Sequence, residues 1–300
     1  MSHIPNTRQP TSRSYAPTSL LAKLNRYSFR LLGERLPGLM SWWAHRLWSG
    51  THRFPASARE QHMQLRASEC SLWVKGKQVK AWQWGNGPTV LLVHGWNGRG
   101  LQLSPLIEPL LIAGYQVISF DAPGHGQTEG NKTHLTEIRD VILALSEQHG
   151  PLHAAIGHSF GVACLAAAVN AGLNIPNLIG ISSPGGLSKL IERYCQAMSI
   201  TPVTEDALRQ RLSERLGAPL WQQFADSYPI NHGVERSLVI HDKLDQVVPW
   251  QESERLALCW PNAELLLTEG LGHRRILTDQ ELANKITAFI DDASAKNSLE

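Results

Sequence analysis

His153-Ala154-Ala155-Ile156-Gly157-His158-Ser159-Phe160-Gly161 decides the reading of this 300-residue chain. A short apolar run ends at a glycine, a serine follows one position later, and another glycine precedes the Ala-rich run Val162–Ala171. Strand, tight turn and helix are therefore expected in succession, with small neighbours at Gly157 and Gly161 making room for the turn. Such a turn lifts the Ser159 hydroxyl above the edge of a sheet. It also sets the first backbone N–H groups of the following helix beside any negative charge that develops there.

Outward from this stretch the chain alternates. Thr89–Val93 and Tyr115–Phe120 read as strands, the first a continuous apolar run suited to burial on both faces. Leu178–Ile181, Leu238–Ile240 and Ala263–Leu267 read as further strands, while Leu103–Ala113, Leu135–Gln148 and Gln280–Asp291 carry helical patterns between and after them. His62–Arg66 and Val79–Trp84 are expected to form an antiparallel opening pair. Alternation of this kind predicts an α/β fold, a mostly parallel sheet of eight strands with helices on both faces. Between about residues 186 and 234 the alternation stops and amphipathic helical patterns replace it, so an inserted helical cap is expected there. The division expected is residues 1–19 as a disordered leader, 20–60 as amphipathic helices, and 61–300 as the main domain with its cap.

Three more strand ends carry residues with chemical potential. Val93-His94-Gly95-Trp96 ends the strand at Thr89–Val93. Acyl transfer needs two N–H donors aimed at one oxyanion, and the amides of Trp96 and Phe160 are the candidates; a plain strand-ending turn is the other reading of His94-Gly95. Phe120-Asp121-Ala122-Pro123-Gly124-His125-Gly126 reads as a structural turn. Ile240-His241-Asp242-Lys243-Leu244-Asp245 offers two carboxylates, and Gly270-Leu271-Gly272-His273 sets a histidine in a Gly-rich loop. Serine, then acid, then histidine is one of the chain orders in which a nucleophile, its base and the base's orienting group occur.

From about His62 onward these motifs resemble the α/β-hydrolase superfamily: His94-Gly95-Trp96, Asp121-Ala122-Pro123-Gly124-His125-Gly126, Gly157-His158-Ser159-Phe160-Gly161, Asp245 with Val248-Pro249, and Gly272-His273. The resemblance selects Asp245 over Asp242, because the family's acid lies three residues before a Val-Pro pair. It implies Ser159 as nucleophile, His273 as general base, Asp245 as the acid that orients it, and the N–H groups of Trp96 and Phe160 as the oxyanion hole. Val162 stands where many relatives have another glycine and Thr128 where they often have serine. The activity implied is hydrolysis of a small-molecule carboxylic ester with an apolar acyl or aryl part, through an acyl-enzyme and with no metal or organic cofactor. A thioesterase, an acyltransferase or a carbon–carbon bond hydrolase would use the same residues, and a non-catalytic interaction protein would keep only the fold.

Composition narrows the remaining classes. The net charge is +2, yet nine basic residues and one acidic residue, Glu34, lie between Met1 and Arg59, so the rest of the chain is net acidic and no nucleic-acid partner is expected. Four scattered cysteines form no metal or disulfide pattern. With no secretory signal pattern and no apolar run of about 18 residues, a cytoplasmic location is expected. Residues 20–50 combine an apolar stripe (Leu20, Leu24, Tyr27, Leu31), basic residues and three of the ten tryptophans. Such helices either lie on an anionic membrane surface as a peripheral contact or pack on the main domain. The oligomeric state is open.

Overall fold

The computed structural model describes residues 19–297; the leader expected over residues 1–19 falls almost wholly outside them. In chain order the strands are β1 (Ser68–Glu69), β2 (Leu72–Val74), β3 (Lys77–Val79), β4 (Ala81–Trp84), β5 (Thr89–Val93), β6 (Gln116–Phe120), β7 (Leu152–His158), β8 (Asn177–Ile181), β9 (Arg236–Asp242) and β10 (Ala263–Thr268). The helices are α1 (Leu20–Leu32), α2 (Pro37–Trp48), α3 (Ala58–Leu65), α4 (Ile107–Ile112), α5 (Leu135–His149), α6 (Phe160–Asn170), α7 (Leu187–Met198), α8 (Pro202–Leu216), α9 (Ala218–Gln223), α10 (Gln251–Ala257), α11 (Gly272–Arg275) and α12 (Gln280–Asn297).

Eight strands form one sheet in the order β1-β4-β6-β5-β7-β8-β9-β10. Neighbours from β6 through β10 pair in parallel, whereas β4 pairs antiparallel with both β1 and β6. Every residue of β5 and β8 is buried, as apolar strands at the middle of a doubly covered sheet require. One core, under α5 and α6, joins Leu91, Phe120, Ile138, Ile142 and Leu165. The core on the opposite face joins Val90, Leu92, Leu103, Ile156, Ile240, Ile286 and Ile290.

The opening of the chain differs from expectation. His62–Arg66 is not a strand: Ala58–Leu65 is helix α3, started by a capping box in which the Ser57 side chain accepts from the Glu60 N–H while the Glu60 carboxylate accepts from the Ser57 N–H. The partner of β4 at the sheet edge is instead the two-residue β1. The stretch Val79–Trp84 also divides, with Val79 pairing in a separate β2–β3 hairpin and Ala81–Trp84 in the main sheet.

A third core lies above the sheet's C-terminal edge. It joins Phe29, Met40 and Ala44 of α1 and α2 to Ile191, Cys195 and Met198 of α7 and to Leu208 and Leu212 of α8. Hydrogen bonds tie the same elements: Tyr194 Oη to Ala44 O (2.9 Å), Thr204 Oγ1 to Gly33 O (2.9 Å) and Arg26 Nε to Ser199 Oγ (3.3 Å). The early helices and the inserted ones thus form one roof. Beyond α2 the chain straps down onto the turn after β6, where Thr51 Oγ1 donates to Gly124 O (2.7 Å) and Arg53 to Gly126 O (2.8 Å). The stripe of α1 behaves differently: Leu20, Leu24, Tyr27 and Leu31 face outward and are exposed, while Phe29 is fully buried.

Candidate active site

The turn after β7 holds Ser159 at φ 52°, ψ −122°, a backbone conformation that L-residues rarely adopt. Its N–H donates to Ile181 O (2.8 Å), which fixes the turn against β8. The surrounding glycines are required sterically. A Cβ on Gly161 would collide with the backbone carbonyl oxygen of Val93, and one on Gly95 would meet the Ser159 Cβ at 2.9 Å.

His273 stands in the first turn of α11, and its ring spans two partners. Nε2 lies 3.2 Å from Ser159 Oγ and Nδ1 lies 2.7 Å from Asp245 Oδ2. The chain therefore folds Ser159, His273 and Asp245, from three separate strand ends, into one hydrogen-bonded row. The Asp245 carboxylate is buried and heavily bonded. Oδ1 accepts from the N–H groups of Val247 (2.7 Å) and Val248 (3.0 Å), and Oδ2 also faces His241 Nε2 at 3.2 Å. Burial is the largest influence on this carboxyl and pushes its pKa up. The bonds from His241, His273 and Val248 together outweigh it and hold the group well below the usual carboxylate range. Asp242, the other carboxylate of this loop, serves elsewhere: it accepts from Leu244 N (2.9 Å), Thr268 Oγ1 (2.8 Å) and Leu271 N (2.9 Å), tying the β9 and β10 loops together.

His241 also belongs to this cluster. It is fully buried, and Nδ1 lies 2.6 Å from Ser253 Oγ while Nε2 faces Val248 O (3.1 Å) and Asp245. Carbonyl and carboxylate oxygens only accept, so Nε2 carries a proton.

Two further histidines splice the turns that follow β5 and β6. His94 Nε2 accepts from Ala122 N (3.0 Å) and Nδ1 donates to Gly95 O (2.7 Å); His125 Nε2 accepts from Asn97 N (3.0 Å) and Nδ1 donates to Pro123 O (3.1 Å). Burial drives both rings to stay neutral, His94 to a pKa of about 4 and His125 to about 3. Asp121 completes the splice by accepting from Gly100 N (2.8 Å) and Gln127 N (2.7 Å). The turn read as structural in the sequence is thus fully bonded. Trp96 is fixed between these pieces, its ring edge-on to Phe160 at 5.3 Å and to His125 at 5.5 Å. Among the described residues the N–H groups of Trp96 and Phe160 have no acceptor within the protein. His158 donates through Nε2 to His273 O (2.9 Å) and is held neutral by burial at a pKa of about 3.

Above Ser159 opens a cavity of about 940 Å³, walled by Trp96, Leu190, Tyr194, Leu244, Val247 and Leu271 among others. Among the aromatic and long apolar residues of the roof, Tyr194 lines this cavity, whereas Met198 and Phe224 are buried in cores and Trp221 packs against them. Among the described residues no group of three or more His, Cys, Asp or Glu side chains forms a metal site, and no helix is long and apolar enough to cross a membrane.

A sequence profile described as "Alpha/beta hydrolase family" matches residues 90–285, well over half of the chain. The chain belongs to the alpha/beta hydrolase family. A curated human relative, "Serine hydrolase-like protein", is 34% identical over 104 residues, a match that covers 31% of this chain and 49% of that protein. The chain thus spans about half the length of this relative. Among solved structures, alpha/beta hydrolase domain-containing protein 10 from mouse has a TM-score of 0.59 at 20% identity, covering 77% of this chain and 99% of that one. An esterase of Pyrococcus furiosus has a TM-score of 0.58 at 21% identity, covering 81% and 97%. At these identities the two structures speak for the fold alone.

Proposed function

We propose that this chain is a serine hydrolase that cleaves a carboxylic ester through an acyl-enzyme. The row Ser159–His273–Asp245 is the observation that carries the reading. Ser159 Oγ attacks the ester carbonyl carbon as His273 Nε2 takes its proton. The imidazolium so formed is stabilised by Asp245, which also keeps the Nδ1–H tautomer in place. The N–H groups of Trp96 and Phe160 hold the oxyanion, worth roughly a hundred- to a thousandfold in rate per donor. Collapse of the tetrahedral intermediate expels the alcohol, protonated by His273. A water that has given its proton to His273 then attacks the acyl-enzyme, and the acid leaves as Ser159 regains its proton. A thioester or an activated carbon–carbon bond can be broken by the same groups, so the leaving group is the open part of the reading.

The test is turnover of p-nitrophenyl esters from acetate to palmitate by wild type and Ser159→Ala, with labelling by a fluorophosphonate probe. Wild type is expected to turn over and to be labelled, and the variant to do neither. Comparable turnover in a folded Ser159→Ala protein would sink the assignment.

The outward stripe of α1 supports a proposal about where the protein rests. Leu20, Leu24, Tyr27 and Leu31 fall at helical spacing on one exposed face, with Lys23 and Arg30 also exposed. This face is proposed to lie on an anionic bilayer, where each cation near the surface adds about 1 kcal/mol. Full-length protein is expected to sediment with phosphatidylserine-containing vesicles at low salt and not with phosphatidylcholine alone. Failure to sediment with either removes the membrane reading.

A further inference from the structure

The cavity over Ser159 is cationic in a way that the ester reading alone does not require. Four arginines line it, Arg26 from α1, Arg193 from α7, and Arg274 and Arg275 from α11, and no aspartate or glutamate is among the lining residues. Elsewhere in the fold some arginines have carboxylate partners, as in Arg209–Glu205, Arg139–Asp140 and Arg255–Glu252, while others such as Arg53 bond to backbone carbonyls. The four cavity arginines have none within 4 Å among the described residues. Arg275 folds back onto the carbonyl oxygens of Gly270 (2.9 Å) and Leu271 (3.1 Å). Arg26 donates from Nε to Ser199, and among the described residues its two terminal nitrogens have no acceptor. The Nη2 of Arg193 is closed off from solvent and has no acceptor among the described residues, so it marks an uncompensated buried charge at the cavity wall and not a donor open to the cavity.

Nearby acids make no ion pair with these charges, although Glu192 feels Arg193 through space. Asp245 is committed to His273, His241 and two backbone N–H groups. Glu192, next to Arg193 on α7, is paired with Lys189, and Glu252 with Arg255. A guanidinium withdrawn from water without an anion is costly, and a cleft of one sign with low-dielectric walls concentrates ligands of the opposite sign. The planar fork of arginine fits carboxylate and phosphate oxygens in particular.

We propose that the ligand of this cavity carries a carboxylate or phosphate at the end remote from the reacting carbonyl, and that Arg26 and Arg193, on the roof, hold it. The inference rests on the reading of Ser159 as nucleophile for its orientation, since the carbonyl then lies at the cavity floor. It makes the substrate an anionic ester or thioester. The apolar walls at Leu190, Leu244 and Val247 take the chain between the two ends.

The experiment separates this site from the nucleophile. Binding to Ser159→Ala protein is measured calorimetrically for methyl hydrogen adipate, hexyl phosphate and neutral dimethyl adipate. At least one anion is expected to bind about ten- to a hundredfold tighter than the neutral diester, the span of a charge-assisted hydrogen bond. Whichever anion binds tighter identifies the group as carboxylate or phosphate. The preference is expected to fall with added salt, to vanish in Arg26→Gln/Arg193→Gln, and to persist in part in Arg26→Lys/Arg193→Lys. Equal binding of neutral and anionic probes, or a preference that survives the Gln pair, overturns the proposal. In parallel, the ratio of kcat/KM for p-nitrophenyl hydrogen adipate to that for p-nitrophenyl hexanoate is measured in wild type. Turnover of both esters with a ratio near one removes the anion site and leaves the nucleophile standing. An anion preference in binding with turnover of neither ester leaves the site standing and removes the ester reading.

Discussion

Replacing Ser159 by glycine tests both the strain at the turn and its purpose. At φ 52°, ψ −122° a residue with a Cβ stores about 1–3 kcal/mol. Glycine relieves that strain but gives the unfolded chain more freedom, at a cost of roughly 0.5–1 kcal/mol. Alanine keeps the Cβ and its strain. Both substitutions lose the hydroxyl that His273 Nε2 meets at 3.2 Å, so that loss cancels between them. Ser159→Gly is therefore expected to be more stable than Ser159→Ala by about 0.5–2 kcal/mol, from these opposing effects. For a chain of this size that corresponds to a rise in Tm of a few degrees, at roughly 2–4 °C per kcal/mol. Calorimetric melting of the two variants at pH 7.5, with urea midpoints beside it, makes the comparison. Both should be inactive on esters. A glycine variant that melts at or below the alanine variant would refute the claim that strain is stored at this position.

Three other outcomes follow from the geometry. His241→Phe leaves the Ser253 hydroxyl and the Val248 carbonyl without a buried partner and takes one donor from Asp245; it should cost about 2–4 kcal/mol by urea denaturation. Esterase kcat should fall about tenfold, as expected when a positioning contact is lost, with partial recovery in His241→Gln; full activity in His241→Phe would show that Asp245 needs no second histidine. Gly161→Ala drives a Cβ into the backbone of Val93 and within 2.8 Å of His94 O, neither of which can move cheaply, so a loss of about 1–3 kcal/mol or more is expected from melting curves and an unchanged Tm would contradict the packing. The rings of His94, His125 and His158 stay neutral in the fold, with pKa values of about 4, 3 and 3, against about 6.5 when unfolded. Below pH 6.5 the unfolded chain takes up protons that the folded chain refuses, so stability must fall as the pH is lowered. From pH 7.5 to 5.5 the three together should remove about 4 kcal/mol, and a urea midpoint that stays flat over that window would show that these rings are not held neutral.

What could be read from the sequence was what lies close together along it. Ser159 sits between a strand and a helix whose patterns are unmistakable, and of its glycine neighbours Gly157 answers contacts within the next turns, with Val162 and Leu165, whereas Gly161 answers the distant backbone of Val93. His273 and Asp245 each follow a strand, and the Val248 N–H that fixes Asp245 lies only three residues on. Helix α3 was misread because His62–Arg66 has little periodicity, though the Ser57–Glu60 capping box was present to be found. The division at Lys80 could not be seen because it depends on a distant residue: Lys80 N–H is taken up by Thr128 Oγ1 (2.9 Å) rather than by a neighbouring strand. His241 and the arginines were illegible for the same reason. Arg26, Arg193 and Arg274 come from three segments far apart in the chain, and nothing in their local sequence says that they share a cavity.

The shared roof core has a consequence for how the molecule assembles. Ala44 and Tyr194, joined by a hydrogen bond, are 150 positions apart. Helices of 13 and 12 residues, the lengths of α1 and α2, have little stability by themselves in water. During synthesis they emerge long before α7 and α8 exist to pack on them, and contacts of such separation close slowly. The apolar faces around Phe29 and Met40 therefore stay unsatisfied through most of translation. The roof can close only once α7 and α8 are made, and because Arg26 and Arg193 arrive on opposite sides of that closure, closing the roof and bringing the two arginines together become a single event.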